Sequence, residues 1–117
     1  MNAQTNIIVI EGRLTSKPLL KRTKSGKSVC RFTISNNRYY FQNKNIIDDV
    51  SFFKIAAWGA LAERSAETLS KGSLVLVSGT LSSKSIAGSN EQRDDVKITA
   101  ANIKFLSRRN ATSQPCN

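Results

Sequence analysis

The sequence predicts an all-β domain, a five-stranded Greek-key barrel with one helix between its third and fourth strands. Two observations lead to this fold class. Five segments rich in β-branched residues alternate apolar and polar side chains with a period of two, as half-buried strands do. One segment of helix-forming residues without glycine or proline lies between the third and fourth. The 117 residues suit a single domain, which we place at 1–106, followed by a short polar and basic tail at 107–117.

The first predicted strand, residues 6–14, is apolar on both sides in its early half. Every second residue forms its inward face: Ile8, Ile10, Gly12 and Leu14. Ile7 and Val9 lie on the opposite face. A strand that is apolar on both faces is either central in a sheet or covered by a partner chain.

The second predicted strand, residues 28–35, follows a turn built on Gly26. Its alternation divides the residues into two sets: Cys30, Phe32 and Ile34 inward, and Val29, Arg31 and Thr33 outward. Residues 36–49 are predicted to form a loop, which contains three consecutive rings at Tyr39, Tyr40 and Phe41.

The third predicted strand, at 51–59, has one ordinary face and one unusual face. Its inward set is that of a core strand: Ser51, Phe53, Ile55 and Ala57. Its outward set places Lys54 between two large rings, Phe52 and Trp58.

The helix is predicted at 60–70 and ends before Gly72. Two strands follow, at 74–84 and 96–106. The fourth strand has a regular inward set: Val75, Val77, Gly79 and Leu81. In the fifth, the inward set shifts from Val96, Ile98 and Ala100 to Ala101, Ile103 and Phe105, which predicts a β-bulge.

This order of elements is that of the OB-fold, a Greek-key barrel that binds mainly oligonucleotides and oligosaccharides. Glycines lie inside the first and fourth strands, at Gly12 and Gly79. Such glycines fit sharply coiled strands that serve both sides of a small barrel.

The charge of the chain points to a polyanionic partner. Lys and Arg total 18 against 8 acidic residues, a net charge of +10. Residues 13–31 contain no acid and hold a basic stripe: Arg13, Lys17, Lys21, Arg22, Lys24, Lys27 and Arg31. A stripe of this kind on a small domain suggests nucleic acid, so we expect Arg13, Lys21, Lys24 and Arg31 to contact phosphates.

Catalysis, metal binding and membrane insertion find no support. There is no histidine and there are only two cysteines, so a structural zinc site is effectively excluded, and no cofactor is expected. No nucleophile–base set, P-loop or Rossmann fingerprint is present, which predicts that the chain is not an enzyme. The chain also has no secretory signal and no apolar run of membrane-spanning length, so it is most simply cytoplasmic.

The outward face of the third strand suits single-stranded nucleic acid. Unpaired strands expose flat base faces and phosphates, and a binder needs rings for the first and cations for the second. Phe52, Lys54 and Trp58 supply both, and Tyr39 and Tyr40 offer further rings. The alternative is that Phe52 and Trp58 lie in a subunit interface or in a second small core.

Several motifs occur together that resemble the bacterial single-stranded DNA-binding protein (SSB) family. They are N-x-x-x-x-x-G-R-L-T at 6–15, Pro18, S-G-K-S-V-C-R-F-T-I at 25–34, F-F-K-I-A-A-W-G at 52–59, L-A-E at 61–63 and K-G-S-L-V-x-V-x-G-x-L at 71–81. The similarity extends from about Asn6 to Leu106, and the motifs fall in order at family spacing.

The resemblance implies an OB-fold homotetramer that wraps single-stranded DNA during bacterial replication, recombination and repair, associated with the nucleoid. By position, Phe52 and Trp58 match stacking aromatics, and Tyr39 or Tyr40 matches a ring that follows the second strand. Basic and polar DNA contacts are implied for a further set: Lys54, Arg31, Thr33, Lys71 and Lys84. The first strand, through Asn6, Ile7 and Val9, is implied to pair subunits.

Two features depart from the family pattern. Ile86 stands where an aromatic is common, and the end SRRNATSQPCN lacks the acidic tip that recruits replication and repair proteins. The sequence is therefore either a truncated DNA-binding core or a specialised paralogue. The missing tip favours an alternative function, a dimeric adaptor resembling primosomal replication protein N that acts mainly through protein partners. An RNA-binding OB module is a third possibility.

Overall fold

The computed structural model describes residues 3–85 and 94–107, which form one barrel and one helix. The elements in chain order are β1 (Ile8–Leu14), β2 (Leu19–Arg22), β3 (Ser28–Gln42), β4 (Asn45–Trp58), α1 (Ala60–Thr68), β5 (Leu74–Ser85) and β6 (Asp94–Ser107). The sheet order is β1-β5-β6-β4-β3-β2. This is the predicted barrel, with the short β2 added at one edge, so that the helix falls between β4 and β5.

The barrel closes where β1 meets β3. Arg13 pairs with Ser35, and Leu14 pairs with Ile34. The pairings are antiparallel except between β4 and β6, which run parallel at Ile55–Ile98. No helix of the described residues is long and apolar enough to cross a membrane.

The core is built from the inward faces that alternation predicts. It includes Cys30, Phe32, Ile34, Ile55, Ala57, Val75, Val77 and Ile98, with Ala62 and Leu69 from the helical segment. Cys30 is fully buried, as expected of a small hydrophobic residue, and burial raises the pKa of its thiol.

Gly12 and Gly79 allow close approach between strands. A Cβ atom on Gly12 would lie 2.6 Å from the carbonyl oxygen of Ser35, and one on Gly79 would collide with the carbonyl oxygen of Thr99. Both obstacles are backbone atoms, which no rotamer change can remove. The structure thus gives a steric reason for a glycine in each of these strands.

The loop predicted at 36–49 is wrong, because most of this segment continues β3 and β4 as a hairpin. The strands stay paired out to Gln42–Asn45 and are joined by Asn43 and Lys44. Both of these residues have positive φ angles, 52° and 67°. Two-residue hairpin turns favour this conformation because it matches the twist of the strands.

Three residues differ from the prediction in exposure. Val29 lies on the outward face, as predicted, but it is buried, with Trp58 on β4 and Lys21 on β2 as its neighbours in register. Leu81 and Val96, predicted to be inward, are exposed. Among the described residues, β5 beyond Gly79 pairs with β6 alone, so these two side chains lie past the closed part of the barrel.

The predicted bulge in the last strand is present. Ala100 pairs with Gly79 and Asn102 pairs with Ser78, which leaves Ala101 without a partner in the ladder. The extra residue reverses the alternation, so Ile98 and Ala100 are buried before it and Ile103 packs against the core after it. β6 ends at Ser107, one residue past the predicted domain end.

Candidate nucleic-acid interface

The register between β3 and β4 brings the predicted site residues onto one outward face. Side chains directly opposite each other in a ladder lie on the same side of the sheet. The pairs on this side are Val29–Trp58, Arg31–Ala56, Thr33–Lys54 and Ser35–Phe52. Arg31 and Thr33 therefore share the face of Phe52, Lys54 and Trp58.

A basic groove lies at the centre of this face. It has a volume of about 410 Å³ and contains four cationic side chains in its wall: Lys17, Arg31, Lys54 and Lys97. Thr33, Leu19 and the buried Ala56 form part of the remaining lining. The groove is open to solvent and combines positive charge with apolar surface, as a site for a flexible polyanion requires.

Lys97 is a groove residue that sequence reasoning missed. It precedes Ile98, which pairs with Ile55 in the parallel β4–β6 contact. That contact joins strands more than forty positions apart, so alternation within either strand gives no signal of it. Lys17, by contrast, was visible as a member of the basic stripe.

The short strand β2 extends the face beyond Arg31. Lys21 pairs with Val29 and Leu19 pairs with Arg31, so both side chains lie on the side that carries Trp58. A small hollow of about 90 Å³ lies between these four residues and adjoins the groove through Leu19 and Arg31. Lys21 is thus brought to the predicted face.

The two outward-facing rings of β4 are accessible at either side of the groove. Phe52 is 64% exposed and Trp58 is 41% exposed. The exposure of Phe52 argues against a second small core over this ring in the described part of the chain.

Tyr39 and Tyr40 lie on opposite faces of the hairpin. Tyr39 pairs with Asp48, on the side of Phe52, whereas Tyr40 pairs with Ile47 on the other side. The Arg38 guanidinium lies 5.6 Å from the centroid of the Tyr40 ring and 3.4 Å from a carboxylate oxygen of Asp49. By register, Tyr39 is the tyrosine that shares the candidate face.

Other predicted basic residues do not join the groove. The Arg13 guanidinium donates a hydrogen bond to the carbonyl of Gly72 at 2.9 Å, next to the turn that carries Lys71. Lys24 lies in the exposed turn between β2 and β3. The side chain of Lys84, together with Ile86, Cys116 and the predicted tail from residue 108, lies outside the described residues.

The predicted interface residues lie at the start of β1. The side-chain amide of Asn6 donates to the carbonyl of Leu81 at 2.8 Å, and its oxygen accepts from the Leu81 N–H at 2.9 Å. Ile7 and Val9 are exposed, Ile7 by 76%. Nothing in the described residues covers them. Within the same residues, no cluster of three or more His, Cys, Asp or Glu could hold a metal ion.

Comparison with known proteins gives consistent results. A family model described as "Single-strand binding protein family" matches residues 5–106. The chain is 35% identical over 104 residues to the single-stranded DNA-binding protein of Treponema pallidum, covering 89% of this chain but 59% of that protein. It is 38% identical over 104 residues to the protein of the same name in Aquifex aeolicus, covering 88% and 71%.

Two solved structures share the fold. The Plasmodium falciparum SSB, in complex with ssDNA, superposes with a TM-score of 0.83 at 20% identity, covering 92% of this chain and 100% of that one. A deletion mutant of the Thermus aquaticus single-stranded DNA binding protein gives 0.80 at 22% identity, covering 90% and 52%. These likenesses confirm the predicted OB-fold.

Proposed function

The chain belongs to the single-strand binding protein family, and on that premise we propose that it binds single-stranded DNA without sequence preference. Bases stack on exposed rings, and lysine and arginine side chains neutralise phosphates. Membership in a family of binding proteins also confirms the prediction that the chain is not an enzyme.

One observation carries this proposal: rings and cations lie on the same face of the β3–β4 ladder. Phe52 and Trp58 lie at opposite ends of a row that includes Lys54, and Arg31 lies on the neighbouring strand. Each base stacked on a ring contributes about 1–3 kcal/mol, and stacking reads no sequence because every base has a flat face. The cations supply attraction to the phosphate chain that is equally independent of sequence.

We infer that the protein acts in the cytoplasm as a homotetramer that protects and organises single-stranded DNA in replication, recombination and repair. The exposed Ile7 and Val9 support a subunit interface at β1, since aliphatic side chains on a strand edge favour cover by another chain. This chain spans only 59% of the matched Treponema protein. That replication and repair proteins bind to this chain is therefore part of the proposal.

Titration with oligo-dT tests the proposal, with the fluorescence of Trp58 as the signal. Trp58 is the only tryptophan, so the signal reports directly on the candidate face. We expect single strands of any base composition to quench the fluorescence on binding. Matched duplex DNA and single-stranded RNA should require higher concentrations for the same quenching. Equal affinity for RNA would favour an RNA-binding module, and no quenching with any strand would contradict the proposal.

A further inference from the structure

The first turn of α1 carries a carboxylate that contacts two strands at once. Oε2 of Glu63 accepts a hydrogen bond from the Ser28 hydroxyl at 2.7 Å, and the same oxygen lies 3.8 Å from a guanidinium nitrogen of Arg22. Ser28 is the first residue of β3, and Arg22 is the last residue of β2. Glu63 therefore links the helix to both strands of the β2–β3 hairpin.

The contact with Ser28 fixes the position of the carboxylate. Ser28 is buried, and its carbonyl accepts a hydrogen bond from the Gly59 N–H at 2.9 Å. A hydrogen bond to a charged acceptor is stronger than one between neutral groups. An exposed ion pair usually contributes little, partly because two long side chains must be ordered. Here Ser28 already orders Glu63, so the ion pair orders only the side chain of Arg22.

The strand β2 has few other restraints. It pairs with β3 alone among the described residues, and all four of its side chains are exposed. A segment with little buried surface and exposed backbone hydrogen bonds opens at a low cost in free energy. The ion pair at Arg22 therefore adds a restraint at the end of a strand that burial does not hold.

The two sides of β2 face different parts of the molecule. Arg22 pairs with Ser28 and lies on the side of α1. Its neighbour Lys21 pairs with Val29, which also pairs with Trp58, and so lies on the candidate nucleic-acid face. Adjacent residues of a strand point to opposite faces, so a restraint on one sets the position of the other.

We propose that Glu63 is a positioning residue for DNA binding. Through Arg22 it holds the end of β2, so that Lys21 lies beside Trp58 and meets a phosphate of the bound strand. Glu63 itself makes no contact with DNA. The inference rests on the proposed function, and it gives an acidic side chain a supporting role in the binding of a polyanion.

The proposed role and simple electrostatics predict opposite effects of removing the Glu63 charge. Glu63→Gln removes one negative charge, so the net charge of +10 becomes +11. Added positive charge by itself strengthens attraction to a polyanion. Loss of a positioning residue weakens binding instead, because Lys21 no longer meets its phosphate. The sign of the change in affinity therefore separates the two.

Titration of Glu63→Gln with oligo-dT over a range of salt concentrations tests the proposal. The amide oxygen of glutamine still accepts the Ser28 hydroxyl, so the fold is retained, but no charge faces Arg22. We expect the slope of log affinity against log salt to become shallower by about 0.7, the value of one phosphate contact. Binding at 0.1 M salt should be about fivefold weaker, the change that this slope produces between 1 M and 0.1 M salt.

Glu67→Gln is the matched control, because it makes the same charge change on the same helix. Glu67 is exposed and has no hydrogen bond or ion pair within the described part of the chain. This variant should bind at least as tightly as wild type, with the wild-type slope.

Two further variants show whether Glu63 acts through its neighbours. Arg22→Gln breaks the same ion pair from the other side and should reproduce the shallower slope. In the Lys21→Ala background, Glu63→Gln should cause no further loss, because residues that act through one contact are not additive.

Several results would overturn the inference. These are tighter binding of Glu63→Gln than of wild type, a wild-type salt slope, or losses that add in the Lys21→Ala background. A lower free energy of unfolding of Glu63→Gln with a wild-type slope would assign Glu63 to stability of the fold alone. Failure of the wild-type protein to bind any strand would contradict the proposed function itself, so the two failures are distinguishable.

Discussion

At the scale of single residues, the proposed binding face depends on where a few cations lie rather than on the total charge. The chain carries 18 basic residues, but among those that the structure describes only Lys17, Arg31, Lys54 and Lys97 line the groove. Arg13 is directed to the carbonyl of Gly72. A basic side chain in the groove should therefore matter more than an equally exposed one elsewhere.

Lys97→Ala tests this dependence on position. Removal of one phosphate contact should weaken binding and make the slope of log affinity against log salt shallower by about 0.7. Lys104→Ala is the matched control, because Lys104 lies on the same strand but does not line the groove. Salt titrations with oligo-dT measure both slopes. Equal slopes for the two variants would show that position in the groove does not matter.

At the scale of secondary-structure elements, the strands coil closely enough to require glycine at two crossings. Gly79 lies opposite Ala100, just before the bulge at Ala101 in β6. The carbonyl of Thr99 occupies the space that a side chain on Gly79 would need. The close approach of β5 to β6 at this point of the barrel therefore depends on Gly79.

Gly79→Ala should reduce stability, because the added methyl group meets backbone atoms and the strands must move apart. Overpacking of this kind costs about 1–3 kcal/mol in free energy of unfolding. Urea unfolding followed by circular dichroism measures the loss. Ser78→Ala on the same strand should change stability by less than about 0.5 kcal/mol. Similar stability of Gly79→Ala and wild type would mean that the crossing tolerates a side chain.

The sequence predicts the closed part of the barrel well and its extensions poorly. Alternation identifies the faces of the core strands because burial on one side imposes a period of two, as at Cys30 and Ile55. The hairpin at 36–49 has no fully buried residue, so burial marks it only weakly, and pairing between its strands holds it instead. The four residues of β2 are all exposed and give no alternation either.

The same reasoning applies to the candidate site. Arg31, Thr33 and Lys54 could be placed on one face because each lies on a strand with a clear inward set. Lys97 and the choice between Tyr39 and Tyr40 depend on pairing between strands, which is non-local or sensitive to a shift of one residue. The structure therefore supplies the register between strands, which the sequence alone does not reveal.

At the scale of the whole molecule, two exposed surfaces have different chemistry. The β3–β4 face combines rings with cations, whereas the start of β1 presents the aliphatic side chains of Ile7 and Val9. The first suits a polyanion and the second suits another apolar surface. This difference supports the proposal that the first surface binds DNA and the second mediates self-association.

Val9→Asp should lower the oligomeric mass, because a carboxylate would be buried at the proposed subunit interface. We expect the wild-type protein to have four times the 12.9 kDa mass of the chain in light scattering. A wild-type mass of twice the chain would favour the adaptor alternative. Ile46→Asp is the control, as another exposed aliphatic residue on a strand, and it should keep the wild-type mass. An unchanged mass of Val9→Asp would remove β1 from the interface.

The central claim is that the outward face of β3 and β4 stacks bases on Phe52. Titration of Phe52→Ala with oligo-dT, followed by Trp58 fluorescence, tests it most directly. Since Phe52 is largely exposed, the substitution should leave the fold intact while binding weakens by about 1–3 kcal/mol, the value of one base–aromatic stack. Unchanged affinity of a folded Phe52→Ala variant would contradict the account.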